Sequence, residues 1–147
     1  MKSFYKLLLL ILIIPSAHAE DISDTKYAKN VCDYGPNSRT AVGCAIKRFK
    51  VVEKLLNKQY KKLHRELNSI KKSCDKYSSN KCNKYVDIKQ LHIKSQRSWI
   101  KFRENECKAI ETWYRNGKLQ KQLYYDCMRT IAERRIDDFK KFTGYQT

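Results

Sequence analysis

Two stripes of side chains, one on each side of a polar turn, constrain the fold of this 147-residue chain more than any other feature. Gln96, Trp99, Arg103 and Cys107 recur at steps of three, four and four, which sets them on one face of an α-helix. Cys127, Ile131, Arg135 and Phe139 recur at steps of four on the next segment. Between them lies Asn116-Gly117, a turn signal. A Cys107–Cys127 disulfide would clamp two antiparallel helices with these stripes facing each other. Counting outward from that bridge sets Trp99 beside Arg135 and Arg103 beside Ile131.

The first nineteen residues read as a separate element. Lys2 and Lys6 precede an apolar run, Leu7 to Ile14, which ends in Pro15-Ser-Ala-His-Ala19. A basic start, a short apolar stretch and an A-x-A ending describe a secretory signal peptide, with cleavage expected before Glu20. The run is shorter than the roughly 20 residues that span a bilayer, so no transmembrane segment is expected after processing. The expected organisation is residues 1–19 as signal peptide and 20–147 as one helical domain, secreted across the inner membrane to the periplasm or beyond.

All six cysteines, Cys32, Cys44, Cys74, Cys82, Cys107 and Cys127, lie in the mature part. An even number in an oxidising compartment implies three disulfides. Six cysteines admit about 15 pairings, which spacing alone does not resolve. The expectation is that sequence neighbours pair: Cys32–Cys44, Cys74–Cys82 and Cys107–Cys127, each tying a helix end or turn. No CxxC or Cys/His pair has metal-ligand spacing, so neither a metal nor another cofactor is expected.

Only four glycines and two prolines occur in the chain, which leaves little material for the turns of an all-β fold. Lys, Leu, Arg, Glu and Gln favour helix, so the expected class is all-α. The pattern along the chain makes that three antiparallel helices, two long and one shorter, stapled by three disulfides. A first helix is expected to start between Asn37 and Thr40, after the turn Tyr34-Gly35-Pro36-Asn37. Its apolar stripe is Phe49, Val52, Leu56, Tyr60, Leu63, Leu67 and Ile70. Residues 74–82 read as a polar break with a cysteine at each end. A second helix is expected from Asn83 to Tyr114, with core candidates Val86, Leu91, Trp99, Phe102, Ile110 and Trp113, ended by a left-handed cap at Gly117. A third is expected from Leu119 to Phe142, burying Leu123, Tyr124, Cys127, Ile131 and Phe139.

Beyond these patterns, the chain resembles the LprI-like lysozyme-inhibitor domain of bacterial secreted proteins and lipoproteins. That family carries an early cysteine pair and an acidic-x-x-L-N-x-x-Y-x-x-L run, matched here by Glu53, Leu56, Asn57, Tyr60 and Leu63. Its second-helix signature is matched by Ser95, Gln96, Trp99, Phe102, Arg103, Glu104 and Cys107. Its closing run is matched by Cys127, Ile131, Ala132, Arg135 and Phe139. Ser95 stands where the family has alanine, Ala132 where it has threonine, and Cys74 and Cys82 look like an addition. The resemblance implies a binding protein that inhibits a lysozyme or another peptidoglycan-directed hydrolase, with no catalysis of its own.

The residues agree with that last point. His64 and His92 have no Ser, Cys or carboxylate at catalytic spacing, and oxidised cysteines are not nucleophiles. Gln96, Trp99, Arg103 and Arg135 read either as a binding surface or as the seam between helices, where Arg stacking on Trp is a common packing solution. Charge adds a second reading. Without Lys2 and Lys6 the chain keeps 30 Lys and Arg against 15 Asp and Glu, near +15. A basic lysozyme calls for an acidic inhibitor surface, so this surplus suits an acidic protein or an anionic envelope surface, with nucleic acid not expected as partner. The alternative function is therefore a cationic, envelope-binding module with no enzyme target.

Overall fold

The computed structural model describes residues 26–29, 31–32, 38–77 and 82–144. The expected signal segment 1–19 and the expected turn Tyr34–Asn37 lie outside the described residues. Three helices follow one another: α1 (Ser38–Tyr77), α2 (Asn83–Trp113) and α3 (Gln120–Gly144). Two are long and one shorter, as the apolar stripes and turn signals imply. Contacts fix their directions. Asn68 and Glu53 of α1 meet Lys89 and Arg103 of α2 in reversed order, so those helices are antiparallel. Gln96 meets Arg135 and Cys107 bonds Cys127, so α2 and α3 are antiparallel too. α1 and α3 consequently run in the same direction, with Phe49 near Tyr125 and Tyr60 near Phe139.

The disulfides are Cys32–Cys44, Cys74–Cys82 and Cys107–Cys127, the pairing of sequence neighbours. The expected polar break at 74–82 is shorter than anticipated, because α1 continues through Cys74 to Tyr77. Nothing in Lys71–Tyr77 breaks a helix, and a Lys71–Asp75 ion pair one turn apart supports the last turns. At the α2–α3 turn the residue with positive φ is Asn116, at 67°, and not Gly117. Asn tolerates the left-handed region through its short polar side chain. Gly117 serves another purpose: its N–H donates to Tyr114 O at 2.9 Å, and a Cβ there would lie 3.0 Å from that oxygen.

The apolar core is built chiefly by α1 and α3. Val52, Leu56, Leu63 and Leu67 from one meet Ala132, Ile136 and Phe139 from the other, each side chain larger than alanine contributing about 1.5–3 kcal/mol on burial. The α1 stripe was legible from its period. The α2 stripe differs from the expectation: Val86, Leu91, Phe102 and Trp113 are exposed, and the residues α2 buries are Arg103, Cys107 and Glu111. α2 lies on the outside of the α1–α3 pair and turns a polar stripe inward, adding only half-buried Tyr85, Ile88 and Trp99 to the core. On α3, Leu123, Tyr124, Cys127 and Ile131 are only partly covered, whereas Met128, Ala132 and Ile136 are buried.

The segment before α1 is more than a polar leader. Ala28 is buried in the core, with Tyr27 and Val31 packed against it. Arg48 donates to Cys32 O at 2.6 Å, and Lys26 and Tyr27 both reach Asp137 on α3. The segment is thus docked on α1 by a disulfide and a guanidinium, and on α3 by a carboxylate.

Candidate functional site

Six of the seven motif residues converge where the three helices meet. The steps of three and four that place Gln96, Trp99 and Arg103 on one α2 face direct that face at α1 and α3. Arg103 is 5% exposed. Its Nη1 donates to Glu53 Oε2 at 2.6 Å and its Nη2 to Oε1 at 3.5 Å, a fork-to-carboxylate pairing between α2 and α1. The same guanidinium lies 4.7 Å from the Trp99 ring centroid and 5.8 Å from that of Phe49. Arg135 approaches Trp99 as well, at 5.7 Å, and stacks over Phe139 at 4.8 Å. Trp99 therefore serves two guanidiniums, which its electron-rich ring faces attract.

Arg135 is tied further. Its Nε donates to Gln96 Oε1 at 3.1 Å and its Nη2 to Ser95 Oγ at 3.0 Å, and Asp138 lies 3.7 Å away. Burial pulls its pKa below the ordinary arginine value, against the Asp138 carboxylate that favours the charge. Tyr60 closes the row against Phe139 and His64. The Arg103 guanidinium finds its carboxylate on α1, at Glu53, while Ile131 borders a groove with Glu106, Ile110 and Leu123.

Asn57 stands apart. It is exposed on the outer face of α1, where it lines a shallow concavity with Lys54, Lys58, Lys61 and Arg65. A second exposed surface belongs to α2: Leu91, Phe102 and Trp113 are 64%, 51% and 85% exposed. Their spacing of eleven residues, about three turns, keeps them on one side of the helix.

Two buried charge clusters escaped the sequence reading. Arg129, Asp126 and Glu133 on α3 are all buried, with Arg129 Nη1 donating to Glu133 Oε2 at 2.9 Å and Asp126 at ion-pair distance. Burial pushes the Glu133 carboxyl above its ordinary range, against the pull of Arg129. Glu111 on α2 receives hydrogen bonds from Lys108 at 2.6 Å and Lys121 at 2.7 Å, which hold its carboxyl below the usual value. Charged residues read as surface in a sequence. Only the i, i+3 and i, i+4 spacing of Asp126, Arg129 and Glu133 hints that they pair.

Among the described residues, no three His, Cys, Asp or Glu side chains gather as a metal site, and no helix is long and apolar enough to cross a membrane. No curated protein and no solved structure matches the chain. A family model described as "Lysozyme inhibitor LprI" matches residues 32–139, from the first bridged cysteine to the Phe139 that stacks with Arg135, and the chain belongs to that family.

Proposed function

We propose that this protein is a secreted inhibitor that binds a lysozyme or another peptidoglycan-directed hydrolase and performs no catalysis itself. The observation that carries the reading is the family match over residues 32–139. Residues 1–19 act as the export signal, and residues 20–147 form one secreted domain. Three formed disulfides suit the oxidising compartment in which such a protein works.

In this reading Glu53, Trp99, Arg103 and Arg135 are the brace that fixes α2 on α1 and α3. Arg103 is covered and already paired, so it offers a target little. The target meets the outward face of α2, where Phe102 and Trp113 supply the exposed aromatic anchors that dominate many interfaces. The purified protein is expected to slow lysis of a cell-wall suspension by at least one lysozyme class. Trp113→Ala and Phe102→Ala are expected to weaken that effect with the helical circular dichroism unchanged. No slowing of animal, plant or phage lysozymes at excess protein would overturn the proposal.

The surplus of positive charge favours a second reading: a cationic module that adheres to an anionic envelope surface without an enzyme target. Adhesion that vanishes at high salt would support it, and a lysozyme complex that survives high salt would overturn it.

A further inference from the structure

The outer face of α1 carries an uninterrupted row of positive charge. Lys47, Lys50, Lys54, Lys58, Lys61 and Arg65 follow one another at steps of three and four, and all six are exposed. Such spacing lines them up along one side of the helix over about 27 Å. Like charges three and four apart repel one another, so the row opposes the helix that bears it. Several surface cations off the row have carboxylates: Lys62 has Glu66, Lys71 has Asp75, and Lys108 and Lys121 share Glu111. Among the described residues none of the six in the row is paired with one.

We propose that this row is a binding site for a linear acidic glycan, a chain with carboxylates or sulfates along its length. It deepens the cationic reading above by giving that reading a place and a ligand. Three features select the ligand. The row is long, straight and one helix wide, which complements a single extended polyanion in charge and shape. Lys54, Lys58, Lys61 and Arg65 border a shallow concavity that also contains Asn57, whose amide donates to and accepts from sugar hydroxyls. No aromatic ring lies in the row, so it lacks the stacking platform typical of single-stranded nucleic acid sites.

The test compares two variants of equal net charge. One replaces Lys54, Lys58, Lys61 and Arg65 with Gln, and the other replaces the α2 cations Lys84, Lys94, Arg97 and Lys101 with Gln. Binding to polygalacturonate and to heparin is titrated at several salt concentrations, with circular dichroism confirming the helices. The α1 variant is expected to lose roughly tenfold or more in affinity and to show a shallower salt dependence, while the α2 variant stays within about twofold of the parent. Should the fourfold α1 variant not fold, Lys58→Glu, which reverses the middle of the row, is expected to show a loss of the same sense. Equal losses in the two variants would leave diffuse cationic adhesion intact and overturn the α1 site. Absence of polyuronate binding, or tighter binding to nucleic acid or to anionic vesicles, would overturn the ligand assignment.

Discussion

Removing the carboxylate of Glu53 probes the brace most directly. In the folded protein Arg103 directs two nitrogens at Glu53, and its Nε is buried with no hydrogen-bond partner. Glu53→Ala therefore leaves a whole guanidinium covered and without an anion. Breaking a buried pair from one side costs about 3–5 kcal/mol. The Glu53 side chain is 31% exposed, so water enters the vacated space, and the Trp99 ring still faces the cation. Both effects move the expectation to the low end, about 3 kcal/mol, or a Tm lower by roughly 10 °C for a domain of this size. Urea unfolding followed by circular dichroism, with disulfides intact, measures it. A double variant, Glu53→Met with Arg103→Met, removes the charge along with its partner and is expected to lie within ~1 kcal/mol of the parent. A loss under ~1 kcal/mol in Glu53→Ala, or a double variant as unstable as the two single losses summed, would refute the brace.

Trp99→Ala removes the ring that both guanidiniums share and is expected to cost about 3 kcal/mol, the low end for a half-buried aromatic, by the same urea assay. Replacing Cys107 and Cys127 with Ala is expected to cost about 3 kcal/mol against about 2.5 kcal/mol for Cys74 and Cys82, because the first bridge closes the longer loop; differential calorimetry checks the order. His64 and His92 are held below the ordinary histidine pKa of 6.5, first by burial, then by Lys89 and His92 around His64 and by Arg135 near His92. Unfolded histidines take up protons at higher pH than the folded ones. Their contribution is thus complete above 6.5 and is lost as pH falls through the depressed folded values, and His64→Gln with His92→Gln is expected to flatten stability measured from pH 7 to 5.

The sequence exposed α1 and the bridges because both obey local rules. Leu56, Leu63 and Leu67 repeat with the helical period on a helix whose other side is lysine, and neighbouring cysteines pair across the turns. α2 obeys no such rule. Leu91, Phe102 and Trp113 are apolar and periodic, yet they face outward, because the stripe through Arg103, Cys107 and Glu111 is the one neutralised by Glu53, by a disulfide and by two lysines. Those partners lie from a few to fifty residues away and follow from no periodicity. The contact of Trp99 with Arg135 was readable because one covalent bond set the register for everything counted from it. Asn57 belongs to the same motif run as Glu53 and Tyr60 and lies one turn from each, yet it is exposed where they are half-buried, a difference that the spacing does not reveal. The docking of Tyr27 and Ala28 was hidden because short polar segments carry no pattern that says where they pack.

The arrangement of the bridges around α2 also bears on the order of assembly. The apolar surface that drives collapse belongs to α1 and α3, at opposite ends of the sequence, while α2 is fastened near each end by Cys74–Cys82 and Cys107–Cys127. A helix whose inward stripe is ionic gains little from collapse and much from a raised effective concentration, which a covalent tether at each end supplies. Thiol oxidation is thus expected to act as the closing step of folding. The reduced chain is expected to keep a two-helix nucleus and a third helix that opens readily, which hydrogen exchange on the reduced and oxidised protein measures.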